Sequence, residues 1–278
     1  MFKDLLVATT GIGDDAAAFA SACALARSDD AHVAVLVQVE VPTQDAGTVG
    51  MFPVEAFVAM HEQAVRQGEA ERARWRNVLE RAGVRGEVRL AANLLSSPPR
   101  TAAFQAHYAD LVLMGLASHG TLPGPVHDQV SKVLHDSGRP LLVVPEGCSP
   151  SAYARVAIAW HPGSSAARAV HDAMPFLERA SAIDVICANP EPGEGNHGPE
   201  PGSDIALHLA RHGLDVRVHC EDDRGDEPGR IVLRCAREFG ATLLVMGGYS
   251  HSRMREWVLG GTTRHVLMHS HLPVLMSH

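Results

Sequence analysis

The stretch of the chain best suited to chemistry is a glycine- and hydroxyl-rich loop that runs from Gly247 to Thr263. The apolar run Leu243–Met246 precedes the loop, a helical pattern follows it, and two arginines, Arg253 and Arg255, lie inside it. Backbone N–H groups at a glycine-rich turn and the positive end of a helix both attract anions. The order strand, loop, helix therefore predicts a site for a phosphate-bearing ligand.

The elements around this loop occur twice in the chain. The segment Ala109–His119 resembles Ala241–His251, and the strands that follow the two loops resemble each other as well. The offset between the copies is 132 residues before the loop and 133 residues after it. A repeat of this length is as long as a domain. The sequence therefore predicts two similar domains, residues 1–147 and 153–278.

Each half alternates short apolar runs with helical patterns, from the opening strands Leu5–Ala8 and Val156–Trp160 onwards. Such alternation predicts an α/β fold with two tandem Rossmann-like domains, each a five-stranded parallel sheet with helices on both faces. A ligand crevice in such a sheet lies at the carboxyl ends of the strands, where the strand order reverses. We therefore expect the segment Ala159–Ser164 to face Gly247–Thr262.

The bulk composition narrows the class of protein. The net charge is −8, which argues against a broad surface for nucleic acid or anionic membrane. No apolar run approaches the roughly 20 residues that span a bilayer, and Met1–Val7 lacks the features of a signal peptide. The five cysteines are scattered and form no CxxC pair. We expect a cytoplasmic protein with reduced thiols.

This arrangement resembles the universal stress protein family in its tandem-domain form, over nearly the whole chain. The ATP-binding pattern of that family is Gly, two residues, Gly, nine residues, then Gly followed by Ser or Thr. Gly247 and Gly260 match the first and last glycines, Ser250 replaces the second glycine, and Gly261 replaces the Ser or Thr. The resemblance implies an adenine nucleotide alpha hydrolase-like fold that binds ATP, with or without Mg²⁺, in the C-terminal domain.

The resemblance also assigns roles to individual residues. The glycines would let backbone approach the ribose and phosphates, the hydroxyl groups would donate hydrogen bonds, and Arg253 and Arg255 would screen phosphate charge. ATP-binding members commonly end their first strand in an Asp near the adenine, and Ala159, Trp160 and His161 occupy that region here. The predicted nucleotide-binding residues are Ala159, Trp160, His161, Gly247, Ser250, His251, Arg253, Gly260, Gly261, Thr262 and Thr263.

The first copy of the motif departs further from the pattern. Gly115 and Ser118 keep its start, but His127 and Asp128 replace the final glycine and hydroxyl residue, before a helix expected at about Val130. A carboxylate at this place repels phosphate. We expect the first domain to bind no nucleotide and to pair with the second domain.

Three functions remain open at this stage. The first is an ATP-binding sensor or regulator of the stress response, and the second is a nucleotide-free interaction module that dimerises through its fifth strands. The third is an enzyme, at most a slow ATPase. The chain has no GxxxxGK[ST] loop, no evident carboxylate pair for Mg²⁺ and no positioned general base, so we predict no catalytic residues.

Histidines near the C-terminus raise the question of a metal site. His265 and His269 are four residues apart on a predicted helix, and His271 follows. No local cysteine or carboxylate completes a tetrahedral set, so an exposed helix face is the simpler interpretation and no metal is predicted. Cys187 lies in a predicted strand and is expected to be buried.

Overall fold

The computed structural model describes residues 1–11, 15–39, 54–92, 97–116, 122–148, 153–191, 193, 198–248 and 261–278. Strands and helices alternate throughout. The elements of the first half are β1 (Asp4–Ala8), α1 (Asp15–Asp29), β2 (His32–Gln38), α2 (Val54–Ala82), β3 (Gly86–Ala91), α3 (Pro98–Ala106), β4 (Leu111–Leu116), α4 (Gly124–Asp136) and β5 (Leu141–Pro145). Those of the second half are β6 (Arg155–Ala159), α5 (Ser164–Asp172), α6 (Met174–Leu177), β7 (Ala182–Ala188), α7 (Ser203–Arg211), β8 (Val216–Glu221), α8 (Pro228–Glu238), β9 (Leu243–Gly247), α9 (Gly261–His269) and β10 (Val274–Ser277).

The strands form one sheet in the order β3-β2-β1-β4-β5-β10-β9-β6-β7-β8. The pairings between the named strands within each half are parallel, which confirms the predicted α/β class. The halves join where β5 and β10 pair antiparallel, with Leu142 opposite Leu275. The fifth strands therefore lie at the centre of a continuous sheet, and β3 and β8 are its edges.

Apolar side chains cover both faces of the sheet. Along β1, Leu5 and Val7 belong to one core cluster, while Leu6 and Ala8 belong to the cluster on the opposite face. Every residue of β4 and β5 is buried. This explains the continuous apolar runs in the sequence, because a strand with helices on both sides has no solvent face.

A second set of contacts joins the halves beside the sheet. The rings of Phe2 and Phe176 lie 5.3 Å apart, and Tyr153 packs edge-on against Phe176. The buried carboxylate of Asp29 lies 2.6 Å from the guanidinium of Arg179 and accepts a hydrogen bond from the Phe2 N–H. Burial alone would raise the pKa of Asp29, but these two partners lower it below its ordinary value.

Two helices differ from the sequence expectation. The helix expected at about Val130 begins at Gly124, because Pro125 occupies the first helical turn, where the missing N–H has no intrahelical partner to lose. The pair Ser164-Ser165 in the sequence predicts a capped helix that runs to about Glu178, but α5 ends at Asp172 and Pro175 lies in the first turn of α6. Within the described ranges no helix is both long and apolar enough to cross a membrane.

Candidate functional site

In the second half, the strand order reverses between β6 and β9. These two strands are adjacent and parallel, and their register places Ala159 opposite Met246. Gly247 and Trp160, which follow these residues, therefore leave the sheet at the same carboxyl edge. The fold brings together the ends of the two predicted site segments, as doubly wound topology requires.

Two predicted site residues, Trp160 and His161, directly follow β6. The Trp160 N–H donates to the carbonyl of Ile186 at 2.8 Å, and the half-buried indole packs against the core. His161 is exposed. The exposed side chain at this end is therefore an imidazole, a group that can donate or accept a hydrogen bond and carries no fixed negative charge.

Gly247 is required by the packing of the fold. A Cβ atom at this position would lie 2.6 Å from the backbone nitrogen of Ala166 and 2.7 Å from the hydroxyl oxygen of Ser165. The N-terminal turn of α5 thus rests directly on the end of β9. This contact gives Gly247 a structural role, and its predicted role in approaching a ribose stays a prediction.

Ser165 is a residue of the site that the sequence argument did not select. It is only 2% exposed, and among the described residues its hydroxyl oxygen has no hydrogen-bond partner. The sequence offered a signal for a polar site residue here, the Ser164-Ser165 pair, but we interpreted this pair only as a helix cap. In the described part of the chain, no side-chain hydrogen bond caps the N-terminus of α5, where Gly163 is the cap residue.

Gly248, the residue after Gly247, forms hydrogen bonds with the end of β10 near the junction of the two halves. The Gly248 N–H donates to the carbonyl of Ser277 at 2.9 Å, and Nδ1 of His278 lies 3.1 Å from the Gly248 carbonyl oxygen. The His278 ring also meets the ring of His135 from the first half, with centroids 4.3 Å apart. Partial burial, and then the neighbouring His278, lower the pKa of His135. The end of β9 therefore contacts the C-terminal residues directly and the first half through the ring of His278.

On the far side of the loop, α9 supplies the other end of the candidate site. Gly261 is exposed, and a Cβ atom there would meet nothing within 4 Å. Thr262 is half-buried, Thr263 is buried, and the first turn contains no acidic residue. This turn therefore keeps the electrostatic potential that favours an anion. The predicted site residues Ser250, His251, Arg253 and Gly260 lie outside the described residues.

The first half has a cavity of about 540 Å³ at the corresponding edge of its sheet, which the sequence did not lead us to expect. Asp128, from the second turn of α4, is among its lining residues, and the structure gives this side chain 60% exposure. Gln129 also lines it. A polar residue on the buried stripe Val126, Val130 and Val133 was the available signal, but the helix was expected to start too late to include it.

The histidines of α9 stack on one another. His265 and His269 have ring centroids 4.3 Å apart and nearly parallel planes, and Nδ1 of His265 lies 3.2 Å from a carboxylate oxygen of Glu227. Partial burial and the neighbouring His269 lower the pKa of His265. In the part of the chain that the structure describes, no three His, Cys, Asp or Glu side chains gather as a metal site would need. Cys187 is fully buried, and burial raises the pKa of its thiol to about 12.

Comparisons with known proteins agree with the α/β fold described above. The model of the universal stress protein family matches residues 153–278. The second half of the chain belongs to the universal stress protein family. No curated protein sequence matches the chain.

Solved structures extend the likeness in fold to the first half. A universal stress protein from Archaeoglobus fulgidus DSM 4304 is 19% identical, with a TM-score of 0.71, and the match covers 98% of this chain and 97% of that one. A proposed universal stress protein from Pseudomonas aeruginosa UCBPP-PA14 is 16% identical, with a TM-score of 0.57, over 99% and 92% of the two chains. Two such folds in one chain fit the tandem form of the family.

Proposed function

We propose that the second half of this universal stress protein binds ATP in the crevice between the ends of β6 and β9. The single observation that carries the proposal is the first turn of α9, which has no acidic residue and follows a loop of the family's ATP-binding spacing. Backbone N–H groups at such a turn attract phosphate. The bound nucleotide would make the protein a sensor or regulator in the stress response rather than a metabolic enzyme.

The two ends of the crevice suggest how the nucleotide would lie. The phosphates belong at Gly261, which is exposed, and Thr262, which is half-buried, at the positive end of α9. The base belongs at His161, where the exposed imidazole can form a hydrogen bond with a ring nitrogen. Ser165, whose buried hydroxyl has no hydrogen-bond partner in the described part of the chain, lies against Gly247.

The chain's own residues bear on whether Mg²⁺ accompanies the nucleotide. Mg²⁺ in nucleotide sites usually keeps several waters and takes the rest of its ligands from one or two carboxylates and the phosphates. No cluster of potential metal ligands occurs among the described residues. We therefore expect any Mg²⁺ to arrive with ATP and to be held mainly through phosphate oxygens and water.

The cysteines support the proposed cytoplasmic location. All five are unpaired, and Cys23, Cys187 and Cys235 are buried. Free buried thiols are ordinary in reducing compartments, whereas secreted proteins commonly pair their cysteines. Thiol labelling of the protein in intact cells would test the location, and extensive disulfide formation would contradict it.

The test of the proposed function is direct. Protein purified without added ligand is denatured and the extract is analysed for adenine nucleotide, and ATP is titrated calorimetrically into the stripped protein. We expect bound nucleotide in the extract or saturable binding of ATP below millimolar concentration. An extract without nucleotide, together with no binding at millimolar ATP, would overturn the proposal and favour a nucleotide-free interaction module.

Such a module could not use the fifth strands to pair with a second chain. β5 and β10 already pair with each other, and each has a parallel neighbour on its other side. A second copy would have to meet the edge strands β3 or β8, or a helical face. Sedimentation of the stripped protein would show whether any such dimer forms.

A further inference from the structure

Two cysteines lie side by side on the last two strands of the sheet in the second half. Cys187 in β7 is the register partner of Cys220 in the edge strand β8. Neighbouring strands are about 4.8 Å apart, and disulfides join Cα atoms that are about 4.4–6.8 Å apart. Cys23 and Cys235 lie in helices α1 and α8, and Cys148 follows β5. Cys187 and Cys220 are therefore the pair that the sheet holds within disulfide range.

The side chains of this pair lie on the same face of the sheet. Cys187 belongs to the core cluster against which Val218 packs, and Cys220 is two residues after Val218 in the same strand. Sγ of Cys220 donates to the carbonyl oxygen of Pro201 at 3.4 Å. A Cβ atom on the next residue, Gly202, would lie 3.2 Å from Sγ of Cys187. Both sulfur atoms therefore meet the turn that precedes α7.

The two thiols differ in their access to solvent. Cys220 is exposed, whereas Cys187 is fully buried. Burial, and then the neighbouring Cys220, raise the pKa of Cys187 to about 12, so the two groups interact and Cys187 stays protonated at neutral pH. Because oxidation of a cysteine depends on its exposure and its thiolate character, an oxidant in solution reacts first at Cys220. Cys187 is then placed to react with the oxidised sulfur.

The matching place in the first half carries no thiol. Cys187 is the sixth residue of β7, and the sixth residue of β2 is Val37. Cys220 is the fifth residue of β8, and the fifth residue of β3 is Leu90, the register partner of Val37. Both apolar side chains belong to or pack against the same core cluster as Cys187. Packing at this position of the fold therefore needs no cysteine.

We propose that Cys187 and Cys220 form a reversible disulfide when a hydroperoxide oxidises the protein. The Cys220 thiolate attacks the peroxide, so that an S–O bond forms, the O–O bond breaks and water or an alcohol leaves. Sγ of Cys187 then attacks the sulfur of this sulfenic acid. The S–S bond forms, the S–O bond breaks, and hydroxide leaves as water with the proton of Cys187. Two thiols thus give two electrons to one peroxide, and a dithiol reverses the reaction by exchange.

The experiment maps the thiols of the full-length protein before and after oxidation. Reduced, desalted protein is exposed to hydrogen peroxide without denaturant, its remaining thiols are blocked with N-ethylmaleimide in denaturant, and the unreduced peptides are identified by mass spectrometry. We expect each chain to lose two thiols and to give one linked pair of peptides that contains Cys187 and Cys220. Dithiothreitol should restore both thiols, and the link should lie within one chain on a non-reducing gel.

Three variants separate this pair from the other cysteines. Cys220→Ser should form no link and should keep the Cys187 thiol free. Cys187→Val copies Val37 of the first half and should stop at the sulfenic acid, so that dimedone labels Cys220 at least about tenfold more than in the wild type. Cys148→Ser removes a half-buried thiol outside the pair and is the matched control, which should form the same link as the wild type.

Three results would each overturn the proposal. They are a free Cys187 thiol in wild-type protein whose Cys220 is oxidised, a bond between the Cys220 residues of two chains, and two reduced cysteines after a peroxide treatment that oxidises glutathione. Because Cys220 is exposed, Cys220→Ser decides the case even if the buried change Cys187→Val prevents folding. ATP plays no part in the reaction, so this proposal and the proposed function can fail independently.

Discussion

The two halves of this chain have the same fold and different chemistry at the same place. Where the strand order reverses in the second half, the helix after the loop begins with exposed Gly261 and has no acidic residue in its first turn. The first turn of α4 in the first half also contains no acidic residue, but the matching position in the repeat is Asp128, in the second turn of that helix and beside a cavity lined by glutamines and prolines. Gly261 and Asp128 are both exposed, so these positions can differ while the buried strands keep the same fold.

The largest expected effect, on ATP affinity, comes from placing in the second half the aspartate that the first half has at position 128. We predict that Gly261→Asp lowers ATP affinity by at least about tenfold, because a carboxylate then faces the phosphates. The same change should leave the fold intact or stabilise it by about 0.3–1 kcal/mol, since there is space for the side chain and an acid favours a helix N-terminus. Calorimetric titration and thermal unfolding measure the two effects.

Asp128→Asn is the matched control for that swap. It removes the corresponding charge from the first half and should neither weaken ATP binding nor create a second site, because the rest of the glycine pattern is missing there. Unchanged ATP affinity in Gly261→Asp would place the phosphates elsewhere.

The second prediction concerns the contact between α5 and β9. Gly247→Ala should lower the free energy of unfolding by about 1–3 kcal/mol, because the new methyl group would overlap the backbone of Ala166 and the Ser165 hydroxyl. Gly261→Ala adds the same methyl group in open space and should change stability by less than about 0.5 kcal/mol. Equal stability of the two variants in urea unfolding would show that the helix is free to move away from the strand.

The third prediction concerns the ion pair that joins the halves. Arg179→Met should lower the free energy of unfolding by about 1–2 kcal/mol near neutral pH, a reduced value because the arginine is 41% exposed. The buried Asp29 would keep its hydrogen bond from Phe2 and the attraction of the N-terminal ammonium group.

The pH dependence of this pair has a definite sign. The pKa of Asp29 is lowered in the folded protein, so its stabilising effect is present above the ordinary Asp pKa and is lost as pH falls through the folded value. Urea unfolding of the wild type and Arg179→Met at several pH values should therefore show curves that converge under acidic conditions. A difference that grows on acidification would contradict the assignment.

The smallest expected effect is at His135, which meets His278 across the junction of the halves. Its pKa is lowered in the folded state, so the folded protein holds fewer protons there than the unfolded chain, and stability should fall slightly as pH drops from about 7.5 to 5.5. His135→Met copies Met268, the residue at the matching position of the second half, and should remove part of that loss. Identical pH profiles of Tm for variant and wild type would contradict this role.

The order of strands and helices could be predicted from the sequence because it depends on which side chains are buried. Runs such as Leu111–Met114 are apolar on both faces, and the repeat located the strand-loop-helix units in each half. The start of α4 was missed because prolines usually mark breaks, whereas Pro125 lies in a first turn that tolerates proline.

The site was less accessible to sequence reasoning, because its features depend on neighbours distant in the chain. Gly247 was interpreted as a ligand residue, while its close contact is with α5, more than 80 residues earlier. The cavity in the first half is lined by side chains from β2 and α4, Gln38 and Gln129 among them, that only the assembled fold brings together.

The central claim is that the two halves differ in the ligands that they bind, and the stoichiometry of ATP binding tests it most directly. Calorimetric titration of stripped, full-length protein should give one ATP per chain, and Gly261→Asp should reduce that binding while Asp128→Asn leaves it unchanged. Two ATP per chain, or one ATP whose binding is weakened by a change at Asp128 and not at Gly261, would contradict the account.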